Sequence, residues 1–385
     1  MATGYSVSAY GAMINCEPRM SNFAEALRNA VTPGCRVVDI GAGPGLFSIL
    51  ACQYGAGSVV AIEPDDSVQL LRNFARDNGF EDRITIVQDL STNYVPDALA
   101  DVIISDLHGA SPLFEQHILT IVDARRRLLA PGGTLIPARD TIRIALVEDP
   151  KYDTNCHQPW AENRFSADLT SARRIVVNQI IKSDISPASL RSAPQDMIVL
   201  DYSSVVEADY SAKVELAVQE DCTVNGLLMW FDTDLGHGLG FSNAPDAPTL
   251  VYGQLLLPLE QPVQMRAGDH IEADVRAKLG EGGYDWTWIS RHVSHGEIRQ
   301  KFMQSTMLGS VLTSQRLNRR RSTFVPHPGA KLALEQYCMS LIDGRRSLQE
   351  IVIEIGTQFP GAFGSTESAL DFVANIVERY AATTE

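Results

Sequence analysis

The chain has 385 residues, of which 45% are hydrophobic and 21% charged, so it holds enough apolar mass for a large core and more than one domain is expected. A formal net charge of −15 argues against broad binding to nucleic acid or to an anionic membrane. No apolar run approaches transmembrane length, and the opening MATGYSVSAYGAMINCEPR lacks the basic start and apolar run of a signal peptide. Cysteines at 16, 35, 52, 156, 222 and 338 show no CxxC spacing, so reduced thiols in a cytoplasmic protein are expected, with no metal site.

In chain order, RVVDI at 36–40 reads as a short strand, followed by the turn GAGPG and a helix over FSILACQYGA. SVVAIEP at 58–64 is a second strand, SVQLLRNFARDNG at 67–79 a helix, RITIVQD at 83–89 a third strand and ADVIISD at 100–106 a fourth. QHILTIVDARRRLLAPGGTLIP supplies a helix, a Pro-Gly-Gly turn and a fifth strand. Alternating strands and helices predict a parallel sheet with right-handed crossovers. Near residue 140 the texture changes. TIRIALVED, MIVLDYSSV, AKVELAVQ, NGLLMWFD, HIEADVRAKL and YDWTWISRHV predict an antiparallel β domain, with a helical insertion within 150–195. Trp286 and Trp288 alternate on one strand and read as packing; His292 and His295 lack a third ligand. Near 310 a basic stretch, with arginines at 316, 319, 320 and 321, leads into three helical patterns.

Gly41, Gly43 and Gly45 follow the first strand, where a tight turn and a helix N-terminus together make a cradle for a polar ligand. The spacing is GxGxG; Leu46 stands where a dinucleotide fingerprint places its third glycine, which disfavours NAD and FAD. Glu63 ends the second strand, suited to a ribose diol, and Asp89 ends the third, suited to an adenine amino group. After the fourth strand, Asp106 and Glu115 bracket a loop containing Gly109. Two carboxylates converging on one point suit an amine acceptor, because a protonated amine has no lone pair to alkylate and a carboxylate can take its proton.

DIGAGPG with Glu63 and Asp89 resembles the cofactor site of class I S-adenosylmethionine methyltransferases. The loop SDLHGASPLFE resembles the double-acid loop of the protein arginine methyltransferases, with Ser105, Gly109 and Glu115 at matching positions and Asp106 replacing the first glutamate. MINCEPRMSNF resembles that family's N-terminal helix, with Cys16 and Phe23 where an aspartate and a tyrosine are usual. GLLMWFD and the segment up to MRAGD resemble its β-barrel domain. The resemblance implies a Rossmann-like α/β core over 1–140, an antiparallel β-barrel over 141–310 and homodimerisation through the 150–195 insertion. It assigns Arg19, Asp39, Gly41, Ala42, Gly43, Gly45, Glu63, Pro64, Asp89, Leu90 and Ser105 to S-adenosyl-L-methionine, and Asp106 and Glu115 to catalysis; His108 joins the catalytic candidates from its place inside the acid loop, where it could contact substrate. One departure stands out: Leu250, Val251 and Tyr252 occupy the place of a Thr-His-Trp that shapes the guanidinium pocket, which slightly favours another amine over arginine.

Residues 311–385, through LIDGRRSLQEIV and ALDFVANIVERY, resemble PqqD-type winged-helix modules that read leader peptides. The resemblance implies a basic nitrogen of a ribosomally made peptide as methyl acceptor. A free small molecule as acceptor, or a non-catalytic binding module, are the alternatives.

Overall fold

The computed structural model describes residues 5–161, 166–311, 313–319, 321–329 and 331–381. They form two compact units, 1–311 and 312–385. Arg320 of the basic stretch and part of the 150–195 insertion lie outside the described residues.

The first unit opens with helices α1 (Val7–Ile14) and α2 (Glu17–Ala30). Pro18 and Glu17 in the first turn start α2, and Arg19, Phe23, Ala26 and Leu27 form its buried face at helical spacing. Then come β1 (Arg36–Ile40), α3 (Leu46–Tyr54), β2 (Ser58–Ile62), α4 (Val68–Asp77), β3 (Ile84–Val87), β4 (Ala100–Ser105), α5 (His117–Arg127) and β5 (Leu129–Ile136). The five strands pair in the order β3-β2-β1-β4-β5, all parallel. The order reverses between β1 and β4, so a crevice opens at the carboxyl ends of those two strands. Both the glycine turn and the acid loop leave from there. The Pro-Gly-Gly turn is not a separate loop: it falls inside β5, with Gly132 at φ 80° and a register shift against β4.

Ten further strands follow: β6 (Arg139–Val147), β7 (Ile181–Ser183), β8 (Gln195–Asp201), β9 (Tyr210–Ala217), β10 (Cys222–Gly236), β11 (Leu239–Ser242), β12 (Gln254–Met265), β13 (His270–Gly280), β14 (Gly283–Ser294) and β15 (Glu297–Ser305). They make two antiparallel sheets, β7-β12-β10-β6-β8 with β11 on β10, and β15-β14-β13-β9. No backbone ladder joins the two sheets among the described residues, so the expected barrel takes the form of two sheets over a shared core containing Ile142, Leu227, Phe231, Val275 and Trp288. The carbonyl of Pro258 ties them together, accepting from Trp288 Nε1 at 2.9 Å and Gln304 Nε2 at 3.0 Å. Trp286 and Trp288 are buried packing residues, and His292 pairs with Asp269 at 3.1 Å. Strand β12 carries Pro258 and Pro262, which hid it from a pattern-based reading; the register shift opposite Val224 and Gly226 accommodates them. The insertion contributes short helical turns, and its Tyr152 packs with Leu228 and Trp230 of β10.

The second unit contains three longer helices, α6 (Leu332–Ser340), α7 (Leu348–Gln358) and α8 (Thr366–Tyr380), around Leu334, Cys338, Ile351, Ile355 and Val373. Ser347 and Glu350 cap α7 reciprocally. Among the described residues this unit has helices and no strand, so the winged-helix form expected from the sequence is not seen there. All six cysteines are free thiols, no described helix is long and apolar enough to cross a membrane, and no described cluster could hold a metal ion.

Candidate active site

The glycine turn lies at the carboxyl end of β1. Gly41, Gly43 and Gly45 sit at φ 70°, 51° and 84°, a region that side chains strain to enter. Space is short at Gly45 too: a Cβ there would collide with the buried Leu71, whose Cγ would be 2.8 Å and Cβ 3.1 Å away, whereas at Gly41 it would meet only the tip of Leu107. Ala42 and Gly45 complete the turn through an N–H to carbonyl bond of 2.8 Å. Gly45 opens α3 with no side-chain cap, which leaves N–H groups at the helix start for a ligand. Tyr10 of α1 lies across the turn, and its hydroxyl donates to Ser67 Oγ at 3.1 Å.

Polar atoms surround the cradle. Asp39 is buried in β1; Ser48 donates to one of its oxygens at 2.7 Å and the other has no partner. Burial pushes its carboxyl up to about 7. Ser105 Oγ at the end of β4 is also buried and unpartnered. Glu63, buried after β2, accepts from the N–H of Gly43 at 2.9 Å and of Asp65 at 2.8 Å, and burial raises its pKa. Asp89 is exposed after β3 and accepts from Leu90 N at 2.7 Å and Asn93 Nδ2 at 2.8 Å. Pro64 and Leu90 are exposed. An anion-friendly helix start, a carboxylate for a diol and unmatched buried oxygens fit a nucleoside bearing an amino-acid tail.

The two loop acids differ sharply. The side chain of Asp106 is 7% exposed and is bonded to Arg19, Tyr252 and His108. Arg19 Nε of α2 donates to it at 2.6 Å, with a second contact from Nη2. The Tyr252 hydroxyl lies 2.9 and 2.8 Å from its two oxygens, and Tyr252 also accepts from Arg19 Nε at 2.8 Å. His108 Nδ1 lies 2.9 Å from Asp106 Oδ1, and His108 Nε2 lies 2.7 Å from Asp140 Oδ2. Asp140 in turn accepts from Thr233 Oγ1 at 2.5 Å and from the Tyr202 hydroxyl. Burial opposes each charge, but the partners win. Arg19, then His108 and Tyr252, hold Asp106 well below the usual carboxylate range, and His108 holds Asp140 low. The two carboxylates push His108 up to about 10.

Glu115, by contrast, is exposed at φ 43°, with no hydrogen bond or ion pair among the described residues. Tyr5 links the two ends of the loop electrostatically: its phenol is raised first by burial, then by Glu115 and by Asp106. The structure therefore gathers Arg19, Asp106 and His108 into one network and leaves Glu115 outside it. Asp140, Tyr202 and Thr233 escaped the sequence reading. Asp140 carried a signal, since it shares the inward face of β6 with Ile142, Ile144 and Leu146. A lone acid on an apolar strand face needs a partner.

Residues 138–281 match the arginine methyltransferase oligomerization subdomain, and residues 22–138 match ribosomal protein L11 methyltransferase. Protein arginine N-methyltransferase 1 of Saccharomyces cerevisiae is 25% identical over 247 residues, covering 62% of this chain and 71% of that protein. Arginine N(omega)-methyltransferase of Streptomyces achromogenes is 27% identical over 263 residues, covering 67% and 73%. The chain is an S-adenosylmethionine-dependent methyltransferase similar to the arginine methyltransferases. Its fold is also that of the Trypanosoma brucei PRMT1 enzyme-prozyme complex with AdoHcy, with a TM-score of 0.72, 23% identity, and coverage of 78% of this chain and 98% of that one. In this methyltransferase the parallel sheet carries the glycine cradle, and the antiparallel sheets supply Asp140, Thr233 and the aromatic floor beneath the acid loop.

Proposed function

We propose that this methyltransferase places a methyl group on a basic nitrogen, an amine or an arginine side chain, of a ribosomally synthesised peptide. The observation that carries the basic acceptor is Glu115, an unpaired carboxylate at one end of a loop whose other end is anchored at the switch point of the sheet. S-adenosyl-L-methionine, when bound, supplies the methyl group. Glu63 and Asp89 would hold its nucleoside, and the turn from Asp39 through Gly45, with Ser105, its remaining polar groups. Arg19 spends most of its N–H groups on Asp106, Tyr252, the Met13 carbonyl and Met20, so only one is left over for a cofactor carboxylate. Glu115 attracts and orients the acceptor and takes the proton that the nitrogen gives up as its new bond to carbon forms. Asp106 and His108 set the shape of the pocket.

The absent Thr-His-Trp supports a less polar acceptor pocket than a guanidinium prefers. Val251 takes the place of the polar histidine, and beside it Tyr252 stacks at 13° on Phe241 with ring centroids 5.9 Å apart, with Phe231 5.3 Å away, so the wall there is apolar and aromatic. The separate helical unit supports a peptide partner, because it resembles leader-reading modules and has its own core. Isothermal titration with S-adenosylmethionine, then mass spectrometry of candidate precursor peptides, tests the proposal. Truncation after Val311 is expected to abolish methylation of a full precursor and to spare short core fragments. A second reading, a free small-molecule acceptor, is favoured by the relative named arginine N(omega)-methyltransferase. Under it the truncated chain keeps full activity. Homodimerisation belongs to the same proposal, supported by the match to an oligomerization subdomain; a monomer in sedimentation at micromolar concentration overturns it.

A further inference from the structure

The ring of His108 lies between two carboxylates. A neutral imidazole has one N–H and can donate to only one of them. With Nδ1 at 2.9 Å from Asp106 and Nε2 at 2.7 Å from Asp140, both nitrogens are at donating distance. The ring is fully enclosed, parallel to Phe231 within 3° at 5.2 Å, so water cannot substitute for either partner. Asp140 is fixed in turn by Thr233, its cross-strand neighbour on β10, and by Tyr202, so the pair cannot relax apart.

We propose that Asp140 and His108 are positioning residues for methyl transfer: a buried imidazolium clamped between Asp140 and Asp106 fixes Asp106 as a permanent carboxylate, and Asp106 in turn fixes Arg19 and Tyr252 around the acceptor pocket. The inference rests on the methyltransferase reading for its effect on turnover, and on geometry alone for its charge state. The groups facing His108 all fit. Asp106 comes from the acid loop and Asp140 from β6. His117 of α5 approaches edge-on at 5.2 Å and is driven down to about 4 by burial and by the charge on His108, so it stays neutral. Tyr202 and Tyr252 stay protonated, their phenols raised by burial and by the neighbouring carboxylates. Arg19 adds the second positive charge beyond Asp106. Two cations and two anions make a neutral buried set, which removing either acid unbalances. Asp106 cannot then serve as the proton acceptor, because a carboxylate held low by two cations binds a proton weakly. Of the two loop acids, that leaves Glu115 for the task.

Nuclear magnetic resonance of the full chain, labelled at histidine nitrogen, tests the charge state without any variant. Both nitrogens of His108 are expected to carry protons at neutral pH and to hold them past pH 8. A His108 that titrates near 6.5, or is neutral at pH 7, overturns the proposal. Asp140→Asn tests the positioning. His108 is expected to lose a proton in this variant, and turnover is expected to fall about 10²-fold with cofactor affinity little changed. The turnover of the native chain is expected to be level from about pH 6.5 to 9, whereas that of Asp140→Asn follows the titration of its histidine. A charged His108 in the native chain, together with normal turnover in a folded Asp140→Asn, also overturns the proposal. Failure to bind S-adenosylmethionine would sink the methyltransferase reading separately, and the resonance measurement still decides the charge state.

Discussion

The two ends of the acid loop carry the same chemical group in opposite surroundings. Asp106 is enclosed, charged and bonded to Arg19, Tyr252 and His108, while Glu115 is exposed and bonded to nothing among the described residues. Sequence spacing makes them a symmetric pair; the structure gives them different surroundings. An acid fully occupied by the protein holds shape, and an acid left open can meet a substrate. The shorter side chain fits this division, because aspartate at 106 is one methylene shorter than the glutamate of the related loop and sits close against Arg19.

The largest effect that tests this contrast is on rate. Glu115→Gln is expected to lower turnover by about 10²–10⁴-fold while titration calorimetry shows cofactor affinity unchanged; normal turnover would remove Glu115 from the chemistry. Asp106→Ala is expected to act first on stability, costing ~3–5 kcal/mol in denaturant unfolding because Arg19 and His108 lose their shared partner. An Asp106 variant that is as stable as the native chain would make the two acids alike after all. Tyr252→Phe removes one hydroxyl from the network and is expected to cost ~1–2 kcal/mol, read by the same unfolding curves.

Stability should also follow pH with a definite sign. The folded pKa of His108 is raised above its ordinary 6.5 to about 10, so its contribution is complete below 6.5 and is lost as pH rises through 10. Those of Asp106 and Asp140 are lowered from 3.8, so their contribution is present above 3.8 and is lost as pH falls through the depressed folded values. The melting temperature is therefore expected to fall on both sides of a plateau, and Asp140→Asn to flatten the alkaline side. An alkaline limb unchanged in that variant breaks the comparison at His108.

Much of this was legible in the chain. The parallel sheet announced itself through apolar runs broken by Gly41–Gly45 after the first strand and Asn78–Gly79 after a helix, because local turn chemistry marks element ends, whereas the Pro-Gly-Gly turn falls inside β5. The cradle residues were readable for the same reason: Glu63 and Asp89 close strands two and three. What stayed hidden was long-range pairing. Arg19 and Asp106 are 87 residues apart, and Tyr252 is 146 from Asp106. Nothing local marks which acid an arginine will reach, so the sequence does not reveal that Arg19 lies against Asp106. His108 read as a loop histidine able to touch substrate, but it is buried with both nitrogens engaged, because Asp140 waits on the opposite strand face. Strand β12 was masked by its prolines and β15 by its charged outer face.

The apolar core of residues 332–376 shares no member with that of the first 311. A unit with its own interior can keep its fold when its surface is changed. Under the proposed peptide reading, a version of different recognition is expected to direct the same chemistry to a new client.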